Sequence, residues 1–95
     1  MAAGDAYVLV PTSTASGAFL NLQPAGSTEI VVHTIEYAGA VEIQRWDGTS
    51  LIALLADAIA GYKDGLQFHC TNTNYIRVKS TAATILIAAS GMYTK

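Results

Sequence analysis

Glycine recurs along this chain at a spacing that leaves little room for anything but short strands. Gly17, Gly26, Gly39, Gly48, Gly61, Gly65 and Gly91 fall mostly 9 or 13 residues apart. The runs between them are rich in residues whose branched or aromatic side chains suit pleated backbone. Regular turn signals between short β-prone runs predict a sandwich or barrel. A chain of 95 residues has room for one core. The expectation is therefore a single all-β domain over 1–95, an antiparallel β-sandwich of jelly-roll-like or Ig-like type. About seven to eight short strands would build it, behind a short flexible N-terminal arm at about 1–5.

Individual runs can be placed. Residues 6–10 read as a first strand ended by Pro11, which cannot donate to a ladder, and 12–17 as a flexible loop. Ala18, Leu20 and Leu22 alternate with Phe19 and Asn21. Residues 28–37 form the longest β-branched run. Its apolar side chains fall on both parities, Ile30 and Val32 against Val31, Ile35 and Tyr37, which predicts a central strand covered on each side. Residues 41–46 follow, and Asp47-Gly48 is a strong hairpin signal. Later runs at 66–70, 75–79 and 84–88 alternate cleanly and follow one another as a meander would.

The segment 51–60 carries two readings. Leu51, Ile52, Leu54, Leu55, Ala58 and Ile59 fit a 3.6-residue repeat, with Ser50 as N-cap and Gly61 as the stop. The alternative is a strand over 50–55 that returns through Asp47-Gly48 to pair with 41–46, followed by an Ala-rich loop. The turn, which needs a partner strand, favours the strand.

Charge bears on function. Hydrophobic residues make up 52% of the chain and charged residues 13%, about half the share usual in soluble domains. A small domain with so few charges either solvates itself with Ser and Thr or hides surface against other subunits. The second option predicts an assembly protein. A net charge of −2 argues against nucleic-acid binding, which relies on clustered Lys and Arg. The five basic residues, Arg45, Lys63, Arg77, Lys79 and Lys95, all lie from position 45 onward. Cys70 is alone, so no internal disulfide is expected. Neither a basic signal-like N-terminus nor an apolar run long enough to span a bilayer is present. The expectation is a soluble protein made in a cytoplasm, with no membrane partner.

Chemistry-bearing residues are sparse. His69 and Cys70 are adjacent, so on a strand they face opposite ways, and Cys70 shares its parity with Leu66 and Phe68 as a small buried hydrophobe. His33 and His69 lack the companions that a metal site needs. Asp47 and Asp64 each precede glycine and are explained as turn formers. No phosphate-cradling loop is present. The expectation is no enzyme, no cofactor and no metal. Trp46, Tyr62 and Tyr75 stand out instead as interface candidates, since large aromatics anchor protein contacts. With Tyr93 they also fit a sugar-stacking platform.

Two stretches, EIVVHTIEYAGAVEIQRWDG at 29–48 and FHCTNTNYIRVKSTAATILIAASG at 68–91, resemble the small accessory virion proteins of tailed bacteriophages, in particular the capsid decoration or cement type. The likeness covers about residues 28–95 and lies in the succession of hairpin, Asp-Gly turn, Asn-rich turn and final strand pair. It implies a β-sandwich on the outer surface of the virion, often a homo-oligomeric trimer, that binds the major capsid protein and locks neighbouring subunits together. A loose terminal arm would come from residues 1–4 and the 12–17 linker. The Ala-rich 51–60 segment departs from the pattern. A tail or head-fibre component and a carbohydrate-binding module centred on Trp46 are the rival readings.

Overall fold

A computed structural model describes residues 3–95. Nine antiparallel strands make two packed sheets: β1 (Ala6–Thr14), β2 (Phe19–Leu22), β3 (Ile30–Tyr37), β4 (Val41–Trp46), β5 (Leu51–Asp57), β6 (Gly61–Lys63), β7 (Phe68–Cys70), β8 (Tyr75–Ser80) and β9 (Ile85–Tyr93). No helix occurs among the described residues. Sheet one has the order β1-β9-β3-β6, with β7 also on β3, and sheet two the order β2-β8-β4-β5. β6 and β7 pair with opposite ends of β3 and together occupy one strand position.

Counted that way, the chain is a set of nested antiparallel pairs. β4 pairs with β5, β3 with β6 and β7, β2 with β8, and β1 with β9. Pairing of β3 with β9 and of β4 with β8 rolls this long hairpin into two sheets. That wiring is a jelly roll and not an Ig-like arrangement. It also corrects the meander, because β7 and β9 lie in one sheet and β8 in the other. From β7 to β8 and from β8 to β9 the chain crosses the sandwich instead of turning back alongside itself.

Ile30, Val32 and Ile35 from β3, Ile43 from β4, Ile76 and Val78 from β8, Ile87 from β9, Leu22 and Cys70 are all fully buried between the sheets. The expectation that β3 is covered on both faces fails, although the strand is central. Val32 pairs with Gly91 and Thr34 with Ser90, so His33 is an extra residue on β3. This bulge reverses the parity of the strand and turns Ile30, Val32, Ile35 and Tyr37 all inward. The close approach needs glycine opposite, since a Cβ at Gly91 would lie 1.9 Å from the Val31 carbonyl oxygen.

Two other boundaries shift. β1 does not stop at Pro11 but continues to Thr14, with a register irregularity between Leu9 and Thr12 that absorbs the missing N–H. Residues 51–57 form a strand, and Trp46 pairs with Leu51 as the turn required. Asp47 Oδ1 accepts hydrogen bonds from the Thr49 and Ser50 amides at 2.9 and 2.6 Å, while Gly48 takes a φ of 93°. Helix propensity loses here because a strand satisfies the open edge of β4. Of the expected arm at 1–5, residues 1 and 2 lie outside the described residues. Further along, the Gly4 amide donates to the Tyr93 carbonyl and the Tyr93 amide to the Asp5 carbonyl.

Candidate assembly surface

The outer face of sheet one follows from alternation along β9 and the first half of β1. On β9 Ile87 and Ala89 point into the core, so Leu86, Ala88, Ser90 and Met92 point out. On β1, Val8 and Val10 do the same. Register places Val8 beside Ser90, Glu36 beside Ala88, and Tyr62 beside Glu36. Val8 is 66% exposed, Val10 65% and Tyr62 68%, with Leu86 and Met92 also open. The irregularity of β1 at Val10 and Pro11 borders an open depression of about 430 Å³, whose lining includes Leu86, Ala88 and Gly61. Glu36 is the one charged residue in that lining. Exposed aliphatic groups gathered on one sheet face mark a contact surface more often than solvated scaffold.

The outer face of sheet two is different. Phe19 pairs with Lys79 on β8, and Gln44 and Trp46 on β4 pair with Arg77 and Tyr75. The Arg77 guanidinium lies 3.7 Å from the Phe19 ring centre and 4.5 Å from that of Trp46, and Lys79 Nζ lies 5.8 Å from Phe19. Cations stacked on aromatic faces cover apolar area with their stems while keeping charge in water. Gln44 is buried beneath this layer and its Nε2 donates to the Glu42 carboxylate. Buried Gln44 Oε1 and Arg77 Nε have no hydrogen-bond partner.

These two faces divide the three aromatic candidates. Trp46 and Tyr75 are register partners on sheet two, and Tyr62 stands on the outer face of sheet one. Tyr75 is buried and serves the core. Trp46 is half-buried, with Arg77 stacked on its ring, so it does not offer the bare platform that sugar stacking needs. Tyr62 alone is freely presented. The open residues Val8, Val10, Leu86 and Met92 were not singled out from the sequence. For Val8, Val10 and Leu86 the signal was present in the runs 6–10 and 84–88, where both parities are apolar although one face must meet solvent; Met92 lies beyond both runs.

The titratable groups describe structure. Cys70 is fully buried, and Leu66 and Phe68 pack on the same core. Burial pushes its thiol up from the ordinary value, away from the thiolate that reactivity requires. His69 Nε2 sits 2.9 Å from Glu29 Oε1, and Lys95 reaches the other carboxylate oxygen at 3.9 Å. Asp64 accepts from the Thr34 hydroxyl at 2.9 Å and is held below the usual carboxylate range by it. At the sandwich edge the Tyr37 hydroxyl donates to Asp57, which also meets Lys63 at 3.6 Å. Burial, then the hydrogen bond to Asp57, raises Tyr37 to about 12. That same hydrogen bond is the main reason Asp57 is lowered. Among the described residues no three His, Cys, Asp or Glu side chains gather as a metal site would require.

Compared with the models of known protein families and with curated proteins, the chain matches none.

Proposed function

We propose that this chain is a structural virion protein that binds the outer surface of a phage capsid and stabilises it, as a homo-oligomer and without catalysis. The observation that carries the reading is the outer face of sheet one. Val8, Val10 and Leu86 are exposed there around a depression whose one charged lining residue is Glu36, and Met92 and Tyr62 are exposed on the same face. A protein that cements subunits across a seam gains affinity by burying apolar area that a free monomer leaves wet. The compact jelly roll supplies a rigid support for such a face. The resemblance of 29–48 and 68–91 to decoration proteins points the same way.

Virions produced from the genome that encodes this chain test the proposal. They should carry it on the head in a fixed ratio to the major capsid protein, and heads lacking it should rupture at lower temperature. Leu86→Lys with Val8→Lys should leave the isolated domain folded and abolish its return to such heads. Particles that never contain the chain would overturn the reading, and so would a double variant that still binds at full occupancy.

A further inference from the structure

We propose that Glu36 and Tyr62 form a docking point for an arginine side chain of a partner protein, beside the depression that takes up the partner's aliphatic groups. The proposal deepens the assembly reading above and rests on it for the partner, while the site itself is testable without a capsid. Glu36 stands exposed on the outer face of β3, in a lining otherwise made of uncharged residues such as Val8, Val10 and Leu86. Glu29, Glu42, Asp47, Asp57 and Asp64 are each tied to a partner on their own chain. Glu36 has none among the described residues. Lys63 follows Tyr62 on β6 but faces the other way, and its Nζ meets Asp57 at 3.6 Å.

Covering this face changes what the carboxylate needs. A partner that buries the aliphatic groups around Glu36 also strips water from it, and a buried carboxylate without a counter-charge is strongly unfavourable. The covering surface must therefore bring a cation to this point. Register sets Tyr62 directly opposite Glu36 on the same face, and Cβ atoms of such pairs lie about 4.5–5.5 Å apart. The Tyr62 side chain is open to solvent. A guanidinium can pair its fork with the carboxylate and lay its plane on the ring, which an ammonium cannot do. Sheet two already uses this stacking, with Arg77 at 3.7 Å from the Phe19 ring centre.

The arginine comes from another protein and not from a second copy of this chain. Both arginines here are committed, Arg45 to Asn74 and the His69 carbonyl, Arg77 to its two rings. Two copies joined by this face about a two-fold axis would also turn Glu36 toward Glu36.

Titration of the isotope-labelled full chain with N-acetyl-arginine methylamide, followed by NMR, tests the site. Shift changes should gather at the Glu36, Gly61, Tyr62 and Ala88 amides at millimolar probe, and the lysine counterpart should bind several-fold more weakly. Glu36→Gln should abolish the response and Tyr62→Leu should weaken it, with spectra that otherwise match the wild type. The comparison of the two probes on the wild type decides the matter if a variant does not fold. An equal response to both probes, a response retained in Glu36→Gln, or none in the wild type would overturn the site. Heads lacking the chain then supply the partner, and Glu36→Gln should bind them roughly thirtyfold more weakly than wild type. Undiminished binding by that variant would overturn the proposal while sustaining the capsid reading. A wild type that responds to arginine but ignores the heads would overturn the capsid reading and sustain the site.

Discussion

The two outer faces of this sandwich follow the same alternation, but only one of them covers its aromatic side chains with cations. On sheet two, Arg77 and Lys79 lie over Phe19 and Trp46, so the aromatic surface is roofed by side chains of the same sheet. On sheet one, Val8, Val10, Leu86 and Met92 have no such roof. The difference teaches that low charge content is not spread evenly over this molecule. Two of its five cations, Arg77 and Lys79, are stacked over aromatic rings on one face, and the aliphatic side chains of the other stay open to solvent.

Five changes would break or sharpen that contrast. Trp46→Ala should have the largest effect. Truncating a buried aromatic costs ~3–5 kcal/mol, so the half-buried ring should cost about 2–3 kcal/mol in urea unfolding. It would remove one of the two rings under Arg77. A change below about 0.5 kcal/mol would mean that sheet two is as open as sheet one.

Arg77→Ala should follow at about 1 kcal/mol, through lost stacking and lost stem packing. Because the stacking is with uncharged rings, raising the salt concentration should leave most of this cost in place. A loss abolished by salt would instead indicate a simple surface ion pair.

Tyr37→Phe probes the edge that joins the sheets, where the expected effect is a melting temperature lower by a few degrees. Asp57 has a lowered pKa, so its contribution is present above the ordinary carboxylate range and is lost as pH falls through the folded value. Tyr37 is raised from 10.0 to about 12, so its contribution is present below pH 10 and is lost as pH rises through about 12. The variant should therefore show a shallower fall in stability at both extremes, read from melting curves across pH. Identical pH profiles for the two proteins would refute this pairing.

The smallest effect is expected on sheet one. Leu86→Ser and Val8→Ser should each change stability by no more than about 0.5 kcal/mol, as surface substitutions do. If either cost several times that in the isolated domain, the face would be part of the fold and not a surface awaiting a partner.

Much of the strand plan was legible in the sequence because local rules governed it. Asp47-Gly48 required a hairpin, and the side chain of Asp47 caps that loop. Cys70, matched in parity with Leu66 and Phe68, belonged inside and is buried there. At 51–57 local preference pulled toward a helix, yet the same turn pointed to the strand that forms. Of the candidate site, the sequence offered Trp46, Tyr62 and Tyr75 by size and aromaticity alone. It could not say that Tyr75 is buried, that Trp46 lies under Arg77, or that Tyr62 stands on the other sheet. Those facts depend on which strand lies beside which.

Composition, alternation and turn chemistry were sufficient for an all-β domain with a crowded interior and few charges to cover it. Tertiary structure alone decided the jelly-roll wiring, the reversal of parity at His33 and the contrast between the faces. The reason is physical. Alternation depends on each residue's immediate neighbours, whereas a bulge, a sheet partner or a stacked cation depends on residues tens of positions away. His33 can be extra on β3 only because Gly91, 58 positions further along, lacks the Cβ that would collide with Val31.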